Sequence, residues 1–71
     1  MSNYLFLVED FAEDTEDLYL LQNCISEENA KDLFTKKFLP NVRFTFDDMV
    51  EMFKSKEIYI RCLDYNNVKK L

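Results

Sequence analysis

The residues best equipped for chemistry are the carboxylates of the segment EDFAEDTED, which places six acids within nine positions and no base among them. These acids are Glu9, Asp10, Glu13, Asp14, Glu16 and Asp17. Such a run suits a hard cation, imitation of a nucleic-acid phosphate row, attraction of a basic partner, or solvation of an exposed turn. The EF-hand pattern D-x-[DN]-x-[DN]-G with its distal glutamate is absent. We therefore predict no metal and no cofactor, while the solvated turn, the phosphate imitation and the basic partner all stay open.

Other catalytic side chains are scarce. The chain has no histidine, so Cys24 and Cys62 lack the base that activates a thiol, and Ser2, Ser26 and Ser55 lack one as well. It also has no glycine, which excludes phosphate-cradling loops of the P-loop and dinucleotide types. Two cysteines are too few for a disulfide scaffold, and we expect buried, reduced thiols. The sequence predicts that the protein is not an enzyme.

Charge is distributed unevenly along the 71 residues. The net charge is −5, but residues 1–30 carry eight acids and no base, whereas residues 31–71 carry six acids and nine bases. An acidic chain with a pI near 4.5 is a poor ligand for nucleic acid. No apolar run approaches the roughly 20 residues of a membrane span, and the first residues lack the basic start of a signal peptide. We expect a cytoplasmic protein without membrane or direct nucleic-acid contacts.

Residue patterns predict five secondary-structure elements. Residues 3–8 and 18–25 are aromatic and branched, which favours two strands joined by a wide hairpin loop over residues 9–17. Ser26 is a helix N-cap before a helix over 27–39, which Pro40 ends. A second helix begins at Thr45, where Asp48 completes a capping box. Residues 57–65 alternate as a third strand, and residues 66–71 are expected to form a frayed tail.

These elements predict one small α+β domain over residues 1–71. Its order is β-β-α-α-β, and it forms a two-layer sandwich with a three-stranded, largely antiparallel sheet and both helices on one face. Strand order cannot be inferred. One assignment of faces groups Tyr4, Phe6 and Val8 with Leu18, Leu20, Cys24, Ile58, Ile60 and Cys62. The opposite face then holds Leu5, Leu7, Tyr19, Leu21, Ile25, Tyr59, Leu63 and Tyr65.

Whichever face meets the helices, the other remains largely apolar. Tyrosine and arginine are enriched at the centres of protein interfaces, so we expect a partner-binding surface centred on Tyr19, Leu21, Tyr59 and Arg61. The six acids of the segment 9–17 would then steer a basic partner toward it. A slip of one residue in strand register exchanges the two faces, so this grouping depends on the register.

Composition also bears on biological class. Phe, Tyr, Met, Ile, Asn and Lys, which use A/T-rich codons, total 30 residues, whereas Gly, Ala, Arg and Pro total 5. An A/T-rich gene, small size and acidity are typical of inhibitors that phages and mobile elements direct against host proteins, including anti-CRISPR and other anti-defence proteins. We predict a non-enzymatic inhibitor or modulator that sterically blocks a host protein, for example a defence or nucleic-acid-binding protein, in the host cytoplasm. The alternative is a self-associating structural or accessory protein that dimerises through the exposed sheet face.

Overall fold

The computed structural model describes residues 1–41 and 43–65. Its elements run β1 (Ser2–Asp10), β2 (Thr15–Cys24), α1 (Glu27–Phe38), α2 (Phe46–Lys54) and β3 (Ile58–Asp64). The predicted α+β class and β-β-α-α-β order are confirmed. The expected frayed tail, residues 66–71, lies outside the described residues. No helix in the described ranges has the length and apolar character needed to cross a membrane.

The three strands form an antiparallel sheet in the order β2-β1-β3, which places β1 in the centre. Phe6 pairs with Tyr19 on one side and with Cys62 on the other. The hairpin is tighter than predicted, because β1 and β2 extend through most of the acidic segment and leave only residues 11–14 as the turn. The prediction of a wide loop over residues 9–17 was therefore wrong. Acidic side chains at the end of a sheet stay in contact with water even when they belong to a strand. The polarity of residues 9–17 therefore did not show where the strands end and the turn begins.

The core lies between the sheet and the two helices. The ring of Phe6 stacks on that of Phe34 from α1 with centroids 4.2 Å apart, and both residues are fully buried with Met49 from α2. The other buried hydrophobic residues of the described chain are Tyr4, Cys24, Ala30 and Ile60. All the buried strand residues belong to one sheet face. The Cα atoms span 34 × 32 × 14 Å, a thickness that suits one sheet and one helical layer.

Local signals explain where the helices begin. The Ser26 hydroxyl accepts a hydrogen bond from the Asn29 N–H at 3.1 Å. At the second helix the Thr45 hydroxyl accepts from the Asp48 N–H, while the Asp48 carboxylate accepts from the Thr45 N–H. Each cap satisfies backbone donors that have no partner inside the helix. The predicted starts of both helices are confirmed.

Because the chain has no glycine, other residues adopt the left-handed backbone conformation. Asp14, Asn23 and Glu57 have φ angles of 55°, 59° and 62°. Aspartate and asparagine tolerate this region better than most residues, whereas glutamate has no such advantage. Asn23 lies where the register of the first two strands shifts, between the pairs Ser2 with Cys24 and Tyr4 with Leu21. This β-bulge reverses the inward and outward alternation for the last residues of β2.

Candidate interaction surface

The sheet face away from the helices is lined by leucine. Leu5 and Leu7 lie on the central strand, Leu18 and Leu20 on β2, and Leu63 on β3. We call these five residues the leucine face. Leu5 is directly opposite both Leu20 and Leu63, and Leu7 is directly opposite Leu18, so the side chains are contiguous. Leu18, Leu20 and Leu63 are 62%, 48% and 41% exposed, and no element in the described residues covers them.

The hairpin end of this face carries an aromatic pair and an ion pair. Arg61 lies opposite Leu7, and its guanidinium donates to the Glu9 carboxylate at 3.1 Å. The rings of Phe11 and Tyr59 meet edge to face with centroids 5.4 Å apart. The segment 9–17 contains no base, so the partner of Glu9 comes from another strand. The antiparallel pairing of β1 with β3 brings Arg61 to it across 52 positions of sequence.

The six acids have different structural roles. One carboxylate oxygen of Asp10 accepts hydrogen bonds from the Ala12 and Glu13 N–H groups, both at 3.1 Å, so this side chain closes the turn. Glu9 pairs with Arg61. The others form no ion pair within the described part of the chain, and we call Glu13, Asp14, Glu16 and Asp17 the acidic tip. These four residues give the hairpin end a concentrated negative charge.

Two of the residues predicted to bind a partner lie on the covered face. Tyr19 packs edge to face against Phe34 and Phe38, with ring centroids 5.5 and 5.6 Å apart, and Leu21 packs against the core. Tyr59 and Arg61 lie on the opposite, uncovered face. The predicted surface centred on Tyr19, Leu21, Tyr59 and Arg61 therefore does not form as one patch.

The bulge explains this error. The sequence-based grouping placed Leu18, Leu20 and Cys24 on one face by simple alternation, whereas Cys24 is buried and both leucines are exposed. The additional residue in β2 breaks that alternation, so Cys24 shares the covered face with Tyr19 and Leu21 instead. Leu18 and Leu20 are the surface residues that sequence reasoning missed. The sequence signal for the bulge was Asn23, because asparagine tolerates the left-handed backbone conformation found there. This signal is weak, since many asparagines have ordinary backbone angles.

A groove of about 740 Å³ lies between the N-terminal ends of the two helices. Lys31 lines this groove, and its Nζ pairs with the Glu27 carboxylate at 3.1 Å and lies 5.2 Å from the centroid of the Phe46 ring. The hydrogen bond to Glu27 raises the pKa of Lys31. Acids also occupy the first turns of both helices. The groove therefore presents an already paired cation and several carboxylates, which is unfavourable for an anion.

The two thiols lie apart on the sheet. Cys24 pairs with Ser2 at one side of β1, whereas Cys62 pairs with Phe6 at the other, so the central strand separates them. Both cysteines are free. Burial raises the pKa of Cys62 to about 11, which keeps its thiol protonated at neutral pH. Among residues 1–41 and 43–65, no three Cys, Asp or Glu side chains are grouped so as to hold a metal ion.

No protein-family model matches the chain, and no curated protein or solved structure matches it at a significant level.

Proposed function

We propose that this protein is a non-enzymatic binding protein that docks its leucine face onto a partner protein and blocks or modulates the partner by occupying its surface. The observation that carries the proposal is the contiguous apolar face, uncovered by any described element and bordered by Glu16 and by the turn acids Glu13 and Asp14 of the acidic tip, whereas Asp17 lies on the covered side. Exposed apolar patches with a polar border are typical of interaction sites. The paired arginine and the Phe11–Tyr59 contact add interface-type residues at the same end.

The leucines and the acids contribute in different ways. Complete burial of a leucine is favourable by about 1.5–3 kcal/mol, so each half-exposed leucine offers about 1 kcal/mol to a partner that covers it. The acidic tip contributes to the rate of encounter with a basic surface, an effect that falls as salt rises. We therefore expect the leucines to decide mainly how long a complex lasts and the acids to decide how fast it forms.

Size and composition support a host protein as the partner. The residue types that dominate the chain use A/T-rich codons, as in many phages and mobile elements, and small acidic inhibitors are frequent among their products. A nucleic-acid-binding host protein would supply the basic surface that the acidic tip favours. We place such a complex in the host cytoplasm.

Affinity capture with matched variants tests the proposal. The double variant Leu18→Gln/Leu20→Gln removes the most exposed part of the leucine face, and Leu33→Gln is its control, because Leu33 is 45% exposed but lies on α1. We expect partner proteins captured from a host lysate by the wild type and by the control to be lost from the double variant. If all three baits capture the same proteins, the leucine face is not the docking surface.

Self-association through the same face is the second candidate, because the uncovered leucines would also suit a second copy. Light scattering across a concentration series separates the two. A monomer supports the binding-protein proposal, whereas a tight dimer that Leu18→Gln/Leu20→Gln dissociates would support self-association.

A further inference from the structure

We infer that the occupant of the leucine face is an amphipathic α-helix of the partner that carries basic residues; this rests on the proposed function and specifies its ligand. The first argument is size. Three strands spaced about 4.8 Å apart, with about six residues each at about 3.3 Å, give a face about 14 Å wide and 20 Å long. One helix is about 10–12 Å across, and about 13 residues span 20 Å. The whole uncovered face of the sheet, in which the leucines of β1 and β2 lie near the middle, thus has room for one helix of three to four turns.

The second argument is the chemistry of packing. The opposite face of the same sheet already packs against helices, through Phe34 of α1 and Met49 of α2. A helix on the leucine face would complete a three-layer arrangement with a sheet between helices. The estimated face is near 300 Å², below the roughly 800 Å² per partner of a standard interface. A helix whose basic residues also reach the acidic tip enlarges the contact beyond the leucines.

The third argument is charge complementarity. Arg61 is the only base on a strand within the described residues, and it already pairs with Glu9. The strands therefore supply the acidic tip with no further Lys or Arg side chain. A second copy facing the first would bring acid against acid in one orientation. In the other orientation it would bring acid against the end that holds Asn3, Gln22 and the amino group of Met1, where the described residues supply no Lys or Arg side chain. Lysine or arginine residues on a partner helix would form ion pairs with the carboxylates of the acidic tip.

Extended peptides are disfavoured at the free edge of β2. Addition of a strand needs a regular row of backbone groups. The bulge at residues 22–23 interrupts that row, and Glu16 and Asp17 place charges on it, which are both common protections of an edge strand. The free edge of β2 therefore does not favour the addition of a strand.

Two peptides of identical composition provide the test. Both are fluorescently labelled, about 14 residues long and made of leucine and lysine. One has leucines spaced as one face of a helix, and the other has leucine and lysine alternating as in a strand. We expect fluorescence anisotropy to show binding of the helical pattern about tenfold tighter or better, with helix formation seen by circular dichroism. Leu18→Gln/Leu20→Gln should weaken this binding about tenfold, while Leu33→Gln leaves it unchanged.

Charge is tested by two triple variants that both change the net charge from −5 to −2. One neutralises the tip with Glu13→Gln, Asp14→Asn and Glu16→Gln, and the other neutralises Glu28, Asp47 and Glu51 on the helices in the same way. Only the tip variant should slow peptide association and reduce its salt dependence. Equal effects of both triple variants, or equal or tighter binding of the alternating peptide, would overturn the inference. If the inference fails in this way but Leu18→Gln/Leu20→Gln still loses the proteins captured from a host lysate, the proposed function stands and only the helical ligand is ruled out.

Discussion

Neighbouring residues of β2 should differ sharply in their effect on stability, because they project to opposite faces of the sheet. We consider Tyr19→Ala and Leu18→Ala. Tyr19 is 36% exposed and packs against Phe34 and Phe38, whereas Leu18 is 62% exposed on the leucine face. The comparison tests the register of the first two strands, on which the assignment of the whole interaction surface depends.

The expected magnitudes follow from the buried fractions. A fully buried aromatic side chain removes about 150–250 Å² from water, so Tyr19 removes about 100–160 Å². At about 25 cal/mol per Å², and allowing for what alanine retains, Tyr19→Ala should lower the free energy of unfolding by about 3 kcal/mol. Leu18 buries little more than a third of its side chain, so Leu18→Ala should cost about 1 kcal/mol or less.

Urea unfolding followed by circular dichroism measures both values. A domain of this size has a total stability of about 4–11 kcal/mol, so at the lower end of that range Tyr19→Ala leaves only about 1 kcal/mol. Tyr19→Leu keeps most of the apolar area and loses the edge-to-face contacts, which limits the expected cost to about 1–2 kcal/mol and provides a folded comparison. If Leu18→Ala costs as much as Tyr19→Ala, β2 is shifted by one residue and the leucine face does not exist as described.

Three further predictions concern the backbone, a helix cap and a thiol. Glu57→Gly should raise the free energy of unfolding by about 0.5–1 kcal/mol, because glycine removes the strain of a φ angle of 62°. The backbone hydrogen bonds of this residue to Lys54 and Phe11 remain, and a loss of stability would contradict the left-handed conformation. Thr45→Ala removes the hydroxyl that accepts from the Asp48 N–H and should cost about 1 kcal/mol, or about 4–8 °C in thermal midpoint, whereas Thr45→Ser should be nearly neutral. Burial raises the pKa of Cys62 from 9.0 to about 11, so the folded state holds the thiol proton to higher pH than the unfolded state. The wild type should therefore lose stability relative to Cys62→Ala between pH 9 and 11, by about 1 kcal/mol because partial exposure of the thiol reduces the effect of the full shift, and parallel curves would refute this.

Local signals in the sequence predicted most of the fold. Ser26 and Thr45 mark the helix starts because their hydroxyls accept from nearby N–H groups, a short-range interaction that needs no tertiary context. Phe46, Met49 and Phe53 recur at helical spacing and form the inner face of α2, which is also a pattern of neighbouring residues. The predicted excess of apolar sheet surface over what two helices cover is confirmed by the exposed leucines.

The identity of the candidate surface depended on long-range pairing. Which of Leu18 and Tyr19 faces the helices is decided by register, and one additional residue at the Asn23 bulge reversed the assignment. The pairing of Glu9 with Arg61 likewise requires β3 to lie beside β1, although the two residues are 52 positions apart. The sequence by itself determined the elements, their order and the charge of the hairpin, because these follow from neighbouring residues. Only the tertiary structure decided which side chains share a face, because β alternation has a period of two and a single inserted residue reverses it.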